Sequence, residues 1–288
     1  MADSTYILYN YNPSGVAAII FIALFGLTTL AHIFQMIRSR TWFFIPFVIG
    51  GIFEIGGYAG RYVNSQQSPD WMTMPYAIQS LLLLIAPAFF AASIYMILGR
   101  CMIATGHDSL SVIPVKWLTK IFVGGDVISF LTQCAGGGVL SSAKSHSTVS
   151  LGENIIIVGL FIQIAFFGFF IVTAGIFHYR LRTCCDCGTK AAIPIGWKKC
   201  LYVLYTASVL ILIRSIFRAI EYITGSTGPL MSTEVYLYVF DAALMFLTMT
   251  TFNILTPKSL VTARPTLPDV ESANNSEMPG GSVGINEK

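Results

Sequence analysis

Seven stretches of this chain, at about 15–37, 43–63, 76–98, 117–140, 153–178, 200–223 and 234–255, are almost continuously apolar. At roughly 20 residues each, they are long enough to cross a hydrocarbon core about 30 Å thick. They lack strict period-two alternation and are rich in Leu, Ile, Phe, Ala and Gly, so helices rather than a barrel must satisfy the backbone in lipid. Hydrophobic residues make up 55% of the 288 positions and charged residues 11%, a balance that excludes a soluble globular domain. The expected fold is an all-α polytopic membrane protein with seven transmembrane helices. Residues 1–14 form its N-terminal segment, 15–256 its membrane domain and 257–288 its tail.

Lys and Arg set the expected orientation. The stretches 38–42, 99–120, 179–199 and the tail carry thirteen of them, whereas the opposite side offers only Lys144. The positive-inside rule then places the N-terminus in the extracytoplasmic space and the C-terminus in the cytosol. Residues 1–14 have no basic region and the first apolar stretch is too long for a signal peptide, so it is expected to stay as an anchor. The tail is rich in Pro, Ser, Asn, Glu and Gly and is expected to be disordered. Its Asn274-Asn275-Ser276 sequon falls on the cytosolic side and is expected to be unmodified. No cysteine lies in an outer loop, so structural disulfides are not expected. Cys184, Cys185 and Cys187, just beyond the fifth segment, suit palmitoylation better than zinc, because a second ligand pair is missing.

Seven charged side chains lie inside the apolar segments: Glu54, Arg61, Asp126, Arg214, Arg218, Glu221 and Asp241. Each costs at least about 2.5–3.5 kcal/mol at mid-bilayer on insertion scales unless it finds a partner or water. Residues seven apart share a helix face, which puts Glu54 and Arg61 on one stripe and Arg214, Arg218 and Glu221 on another. Three positive and four negative charges nearly cancel, so one interhelical network is expected. Depth pairs Arg61 with Glu221 or Asp241, and Arg214 with Glu54 or Asp126. Gln79, Gln133 and Gln163 add neutral donors and acceptors. Such a network either fixes packing or lines a cavity for a polar headgroup, since guanidinium matches carboxylate and phosphate while carboxylates match amines. Gly51, Gly56, Gly60, Gly124, Gly125 and Gly136 to Gly138 read as packing glycines. Pro87 is expected to kink the third helix.

Several functions are excluded or weakened. A zinc hydrolase needs several His at membrane depth, and only His32 is inside a segment; it reads as a satisfied residue near a helix end rather than a proton relay. No metal site is expected. A retinal protein needs a lysine within a helix, and every Lys here is in a loop, a helix end or the tail. There is no Gly-x-x-x-x-Gly-Lys-Ser/Thr phosphate loop, so no nucleotide hydrolysis is expected. A ligand-sensing receptor is weakened by the absence of Asp-Arg-Tyr and Asn-Pro-x-x-Tyr motifs, and remains the alternative.

Glu54-x-x-Gly57-Tyr58-x-Gly60-Arg61 is similar to the second-helix signature of the fungal RTA-like family, the lipid-translocating exporters. Further matches are Ala86-Pro87 with Tyr95 and Gly99-Arg100; Asp126, Ser129 and Gln133 with Gly136 to Gly138; Gly159-Leu160 with Gln163; Arg214-Ser215-Ile216-Phe217-Arg218 with Glu221-Tyr222; and Glu234 with Tyr238 and Asp241. The resemblance covers about residues 11–257. Thr256-Pro257 departs from it, since the family pattern leads to expect His-Pro there.

The resemblance implies a membrane transporter, flippase or exporter of amphipathic lipids or lipid-like toxic compounds, conferring tolerance. Sphingoid long-chain bases, sterol analogues and porphyrin or haem are the implied cargoes, and the plasma membrane, or else a vacuolar or other endomembrane, is the implied location. No enzyme activity and no cofactor are expected. Membrane lipids and an amphipathic small molecule are the expected partners, with no nucleic acid. The expected substrate-binding residues are Glu54, Arg61, Gln79, Asp126, Gln133, Arg214, Arg218, Glu221 and Asp241. An amine would meet Glu54, Asp126 or Asp241, and hydroxyls Gln79 and Gln133; porphyrin propionates would meet Arg61 or Arg218. The alternative is a seven-helix lipid or sterol sensor that signals without transport.

Overall fold

A computed structural model describes residues 11–67, 72–143, 145–186, 197–224 and 233–254. Among them every regular element is helical. The long helices are α1 (Gly15–Ser39), α2 (Ile45–Ser65), α3 (Thr73–Ala104), α4 (Val115–Ser141), α5 (His146–Asp186) and α6 (Trp197–Ile223). The last, α7 (Glu234–Ile254), opens with one turn, passes through a π turn at Tyr238–Ala242 and ends as a regular helix. α5 extends past the expected 153–178 at both ends.

Local signals explain the boundaries. Ser14 caps α1 by accepting the Ala17 N–H at 3.3 Å. Arg40 closes that helix at φ 53°, a left-handed turn returning its N–H toward Ile37 and Met36. A short 3-10 turn at Trp42–Phe44 then leads into α2, where Pro46 occupies the first turn and no N–H is missed.

Neighbours in sequence pack as neighbours in space. α7 returns against both α6 and α1, closing the ring, and α3 meets α6 across it. Close approach relies on glycine: a Cβ at Gly136 would lie 2.8 Å from the Gly152 carbonyl oxygen of α5, and one at Gly60 3.2 Å from that of Pro75. Gly51, Gly56 and Gly125 also face crowded neighbours. Gly124, Gly137 and Gly138 have nothing within 4 Å, so the packing role expected of them does not hold.

The polarity of the bundle is reversed relative to a soluble protein. Leu27, Leu30 and Phe34 of α1 are each more than 60% exposed, while Arg61 and Arg214 are among the most buried side chains. An apolar exterior around buried charge is what a bilayer solvent selects. Among the described residues six helices are long and apolar enough to cross a membrane; α4 is not one of them, since its glycines, Asp126 and Gln133 dilute its apolar character. The chain is an integral membrane protein.

Candidate functional site

Pro87 has no N–H, so the carbonyl one turn before it, on Leu83, loses its helical partner. Arg214 of α6 supplies the replacement: its Nη2 donates to Leu83 O at 2.6 Å. The same guanidinium donates through Nε to Asp241 Oδ1 at 2.5 Å, an ion pair whose side chains are 2% and 3% exposed. Asp241 sits in the π turn of α7, where the helical register is displaced. Arg214 thus bridges two helix irregularities, one in α3 and one in α7. Farther along α6, Arg218 Nη1 donates to Glu221 Oε2 at 2.8 Å, across a three-residue spacing.

Glu54 faces this group from α2. It is 2% exposed, and its Oε1 has no hydrogen-bond partner. The charges acting on it are those of Asp241, Arg214 and Arg218. Asp241 Oδ2 also lacks a partner. Two carboxylates from different helices therefore each present an oxygen unused by the protein, beside two guanidinium groups, inside an apolar bundle.

A second cluster closes one end of the bundle. Arg61 donates through Nη2 to Tyr11 Oη at 2.7 Å and to Glu234 Oε1 at 2.9 Å, and through Nε to Tyr238 Oη at 3.1 Å. Its guanidinium lies over both tyrosine rings, 5.5 and 5.3 Å from their centroids. Glu234 accepts the Ser14 N–H as well, at 2.8 and 3.1 Å. Burial pushes the Tyr11 phenol above its ordinary value, with Arg61 pulling the other way. The segment before α1 is thereby fastened to α2 and α7.

Asp126 takes no part in these ion pairs. Tyr95 of α3 donates to its Oδ2 at 2.9 Å, and that ring packs on Phe122, Phe167 and Phe170. Below it, Ser129 Oγ donates to Gly159 O at 2.7 Å, and Gln133 Nε2 donates to Ser129 Oγ at 2.7 Å and Gln163 Oε1 at 3.3 Å. Asp126 Oδ1 and Gln133 Oε1 are left without partners. Gln79 is buried where α3 passes Gly60 of α2.

Hydrogen bonds gather the expected residues into groups, and Tyr58, in the field of Glu54, Asp241 and Arg61, links two of these groups electrostatically. Glu54, Arg214, Arg218, Glu221 and Asp241 come together; Arg61 is at the closing cluster; Asp126 and Gln133 lie between α3, α4 and α5. The expected pairings are corrected. Arg61 binds Glu234 rather than Glu221 or Asp241, because the first residue of α7 reaches back over the end of α2. Arg214 binds Asp241 rather than Glu54 or Asp126, because the π turn presents that aspartate to α6. Tyr11, Tyr95, Tyr238 and Glu234 were missed as polar partners. Glu234 lies at the edge of an apolar stretch and so escapes a search for charges within one. His32 is not a satisfied helix-end residue: it is fully buried within α1, with one ring nitrogen unpartnered.

Among the described residues no group of three or more His, Cys, Asp or Glu is placed to hold a metal ion. Cys184 and Cys185 fall in the last turn of α5, and Cys187 and the tail from residue 255 lie outside the described residues.

No solved structure matches. Protoporphyrin uptake protein 1 of Saccharomyces cerevisiae is 38% identical, covering 88% of this chain and 92% of that protein. A probable lipid transporter of Emericella nidulans is 29% identical over 87% of this chain and 67% of its own length. A sphingoid long-chain base transporter of Saccharomyces cerevisiae is 25% identical over 82% and 69%. The RTA1 like protein family matches residues 47–264, which include Glu54, Arg61, Asp126, Arg214, Arg218, Glu221, Glu234 and Asp241. The chain belongs to that family of fungal membrane proteins.

Proposed function

We propose that this protein moves amphipathic lipids or lipid-like toxic compounds across a membrane, binding the polar head among Glu54, Asp241, Arg214 and Arg218 while the apolar part remains in contact with lipid. The observation that carries this reading is the pair of unpartnered carboxylate oxygens, Glu54 Oε1 and Asp241 Oδ2, beside two guanidinium groups. An ammonium head has three donors and meets both oxygens; an acidic head meets Arg218 or Arg61. Asp126 Oδ1 and Gln133 Oε1, seven residues apart on α4, offer a second pair of acceptors, with Gln79 on the α2–α3 seam. Sphingoid long-chain bases fit the carboxylates best; sterol analogues and porphyrins are further candidates. The relatives named for protoporphyrin uptake and for long-chain base transport support this range.

In this reading all seven helices span the bilayer. α4 has 27 residues and packs between α3 and α5; at 1.5 Å per residue it is about 40 Å long, enough for a ~30 Å core. The proposed orientation, supported by the distribution of basic residues, has the N-terminus outside and the C-terminus in the cytosol, and the plasma membrane is the proposed location.

Purified protein in liposomes tests the proposal. A fluorescently labelled long-chain base is expected to cross faster than in protein-free vesicles. Saturable binding without faster crossing would instead favour a lipid sensor, and neither binding nor crossing would leave the buried charges as packing elements.

A further inference from the structure

The seam where α1 meets α2 and α7 carries a row of buried polar atoms without protein partners. It begins at Glu54 Oε1 and continues with Thr29 Oγ1, His32 Nδ1, Gln35 Oε1 and Asn253 Oδ1. Sequence spacing and packing place these on successive turns. Gly51, one turn before Glu54 on the same helix, lies directly against the Thr29 hydroxyl and against Met249 of α7. His32 follows Thr29 by one turn of α1, and its Nε2 is 3.0 Å from the Met249 carbonyl oxygen, so this nitrogen carries the proton and Nδ1 is the acceptor. One turn on, Gln35 Nε2 donates to Asn253 O at 2.9 Å, and Asn253 Nδ2 reaches back to Thr28 O at 3.4 Å.

Burying a polar atom without a partner is costly, so a row of them is a cost that packing alone does not explain. Every atom in the row accepts hydrogen bonds, and two of the groups, Glu54 and His32, can take up a proton. Water bridging such a row would join the buried carboxylate to the end of the bundle where α1 ends, beside Arg38 and Arg40.

We infer that this seam is a proton path linking Glu54 to that end of the bundle, and that it couples a proton gradient to amphiphile movement. The inference rests on the transport reading for its consequence, but the path itself does not. Proton transfer balances without any redox partner: a hydronium ion at the end of the bundle protonates His32 Nδ1 and is left as water, the imidazolium gives up the Nδ1 proton to the Thr29 hydroxyl as that hydroxyl passes its own proton on toward the Glu54 carboxylate, and neutral His32 is restored. The charged groups acting on Glu54 are Asp241 of α7 and Arg214 and Arg218 of α6; Tyr58 lies one turn away on its own helix. The groups facing His32 are the Phe44 and Phe47 rings and the Met249 carbonyl, none of which titrates.

The test uses liposomes loaded with a pH-sensitive dye and holding the full-length protein, with an imposed potassium diffusion potential and with or without labelled long-chain base. Wild-type protein is expected to conduct protons faster than empty vesicles. One-to-one coupling would let a gradient of one pH unit drive up to about tenfold accumulation of the base, since one unit is worth about 1.4 kcal/mol. His32→Phe, which suits the surrounding phenylalanines, should abolish proton flux while base binding stays intact; His32→Gln keeps a donor for the Met249 carbonyl and should lose it as well. Proton flux equal to that of empty vesicles, or unchanged in both variants, overturns the inference even if the base crosses. Proton flux that depends on His32 without base movement would sustain the path and overturn the transport reading instead.

Discussion

Replacing Arg214 by Leu is expected to cost roughly 3–5 kcal/mol of stability, because it strands a buried Asp241. Arg214 is 2% exposed, and its partners are that carboxylate and the Leu83 carbonyl freed by Pro87. The single variant leaves both unsatisfied where water is excluded. A second replacement, Asp241→Leu, removes the stranded charge, so the double variant should regain most of the lost stability, as apolar substitutes for buried ion pairs commonly do. Thermal unfolding in detergent, followed by size-exclusion chromatography, measures this. A double variant no more stable than Arg214→Leu would mean that the carbonyl contact, not the ion pair, dominates. The recovered double variant is also expected to have lost amphiphile transport.

Arg61→Ala is expected to cost roughly 2–5 kcal/mol. It removes the shared partner of Tyr11, Tyr238 and Glu234 and leaves the first residue of α7 without its cation. Arg61→Lys should recover only a small part, since one ammonium cannot reproduce a planar fork that donates in three directions and stacks on two rings. Because Ser14 is fastened through Glu234, limited proteolysis should cut the segment before α1 much faster in Arg61→Ala than in wild type. Equal cutting rates in the two proteins would contradict the fastening role.

The helices were legible in the sequence because bilayer thickness dictates their length, and the buried charges because lipid makes each one conspicuous. Pairing was harder to read. Depth alone allows Arg61 either Glu221 or Asp241, whereas the π turn shifts the register of α7 and presents Asp241 to Arg214. Glu234 stands at the margin of an apolar run, where a charge is unremarkable, yet in three dimensions it joins three chain segments. Pro87 read as a kink, whereas its larger effect is the acceptor it exposes on Leu83. Asp126 looked like a member of the same group because depth alone was compared; Tyr95 and the aromatic rings around it give it a separate setting. The pair of Arg218 and Glu221 follows directly from their i to i+3 spacing on one helix face.

In the proposed mode of binding, Glu54 beside the Arg214–Asp241 pair holds the polar head of the cargo. Glu54→Gln keeps the side chain's shape and removes its charge. A hydrogen bond to a charged group is worth about 1.5–3 kcal/mol, so affinity for a labelled long-chain base should fall by roughly ten- to a hundredfold. Equilibrium binding to purified wild type and Glu54→Gln, at matched folded protein, measures this directly. A Kd raised by that factor is the result predicted here; a Kd unchanged between the two proteins would contradict it.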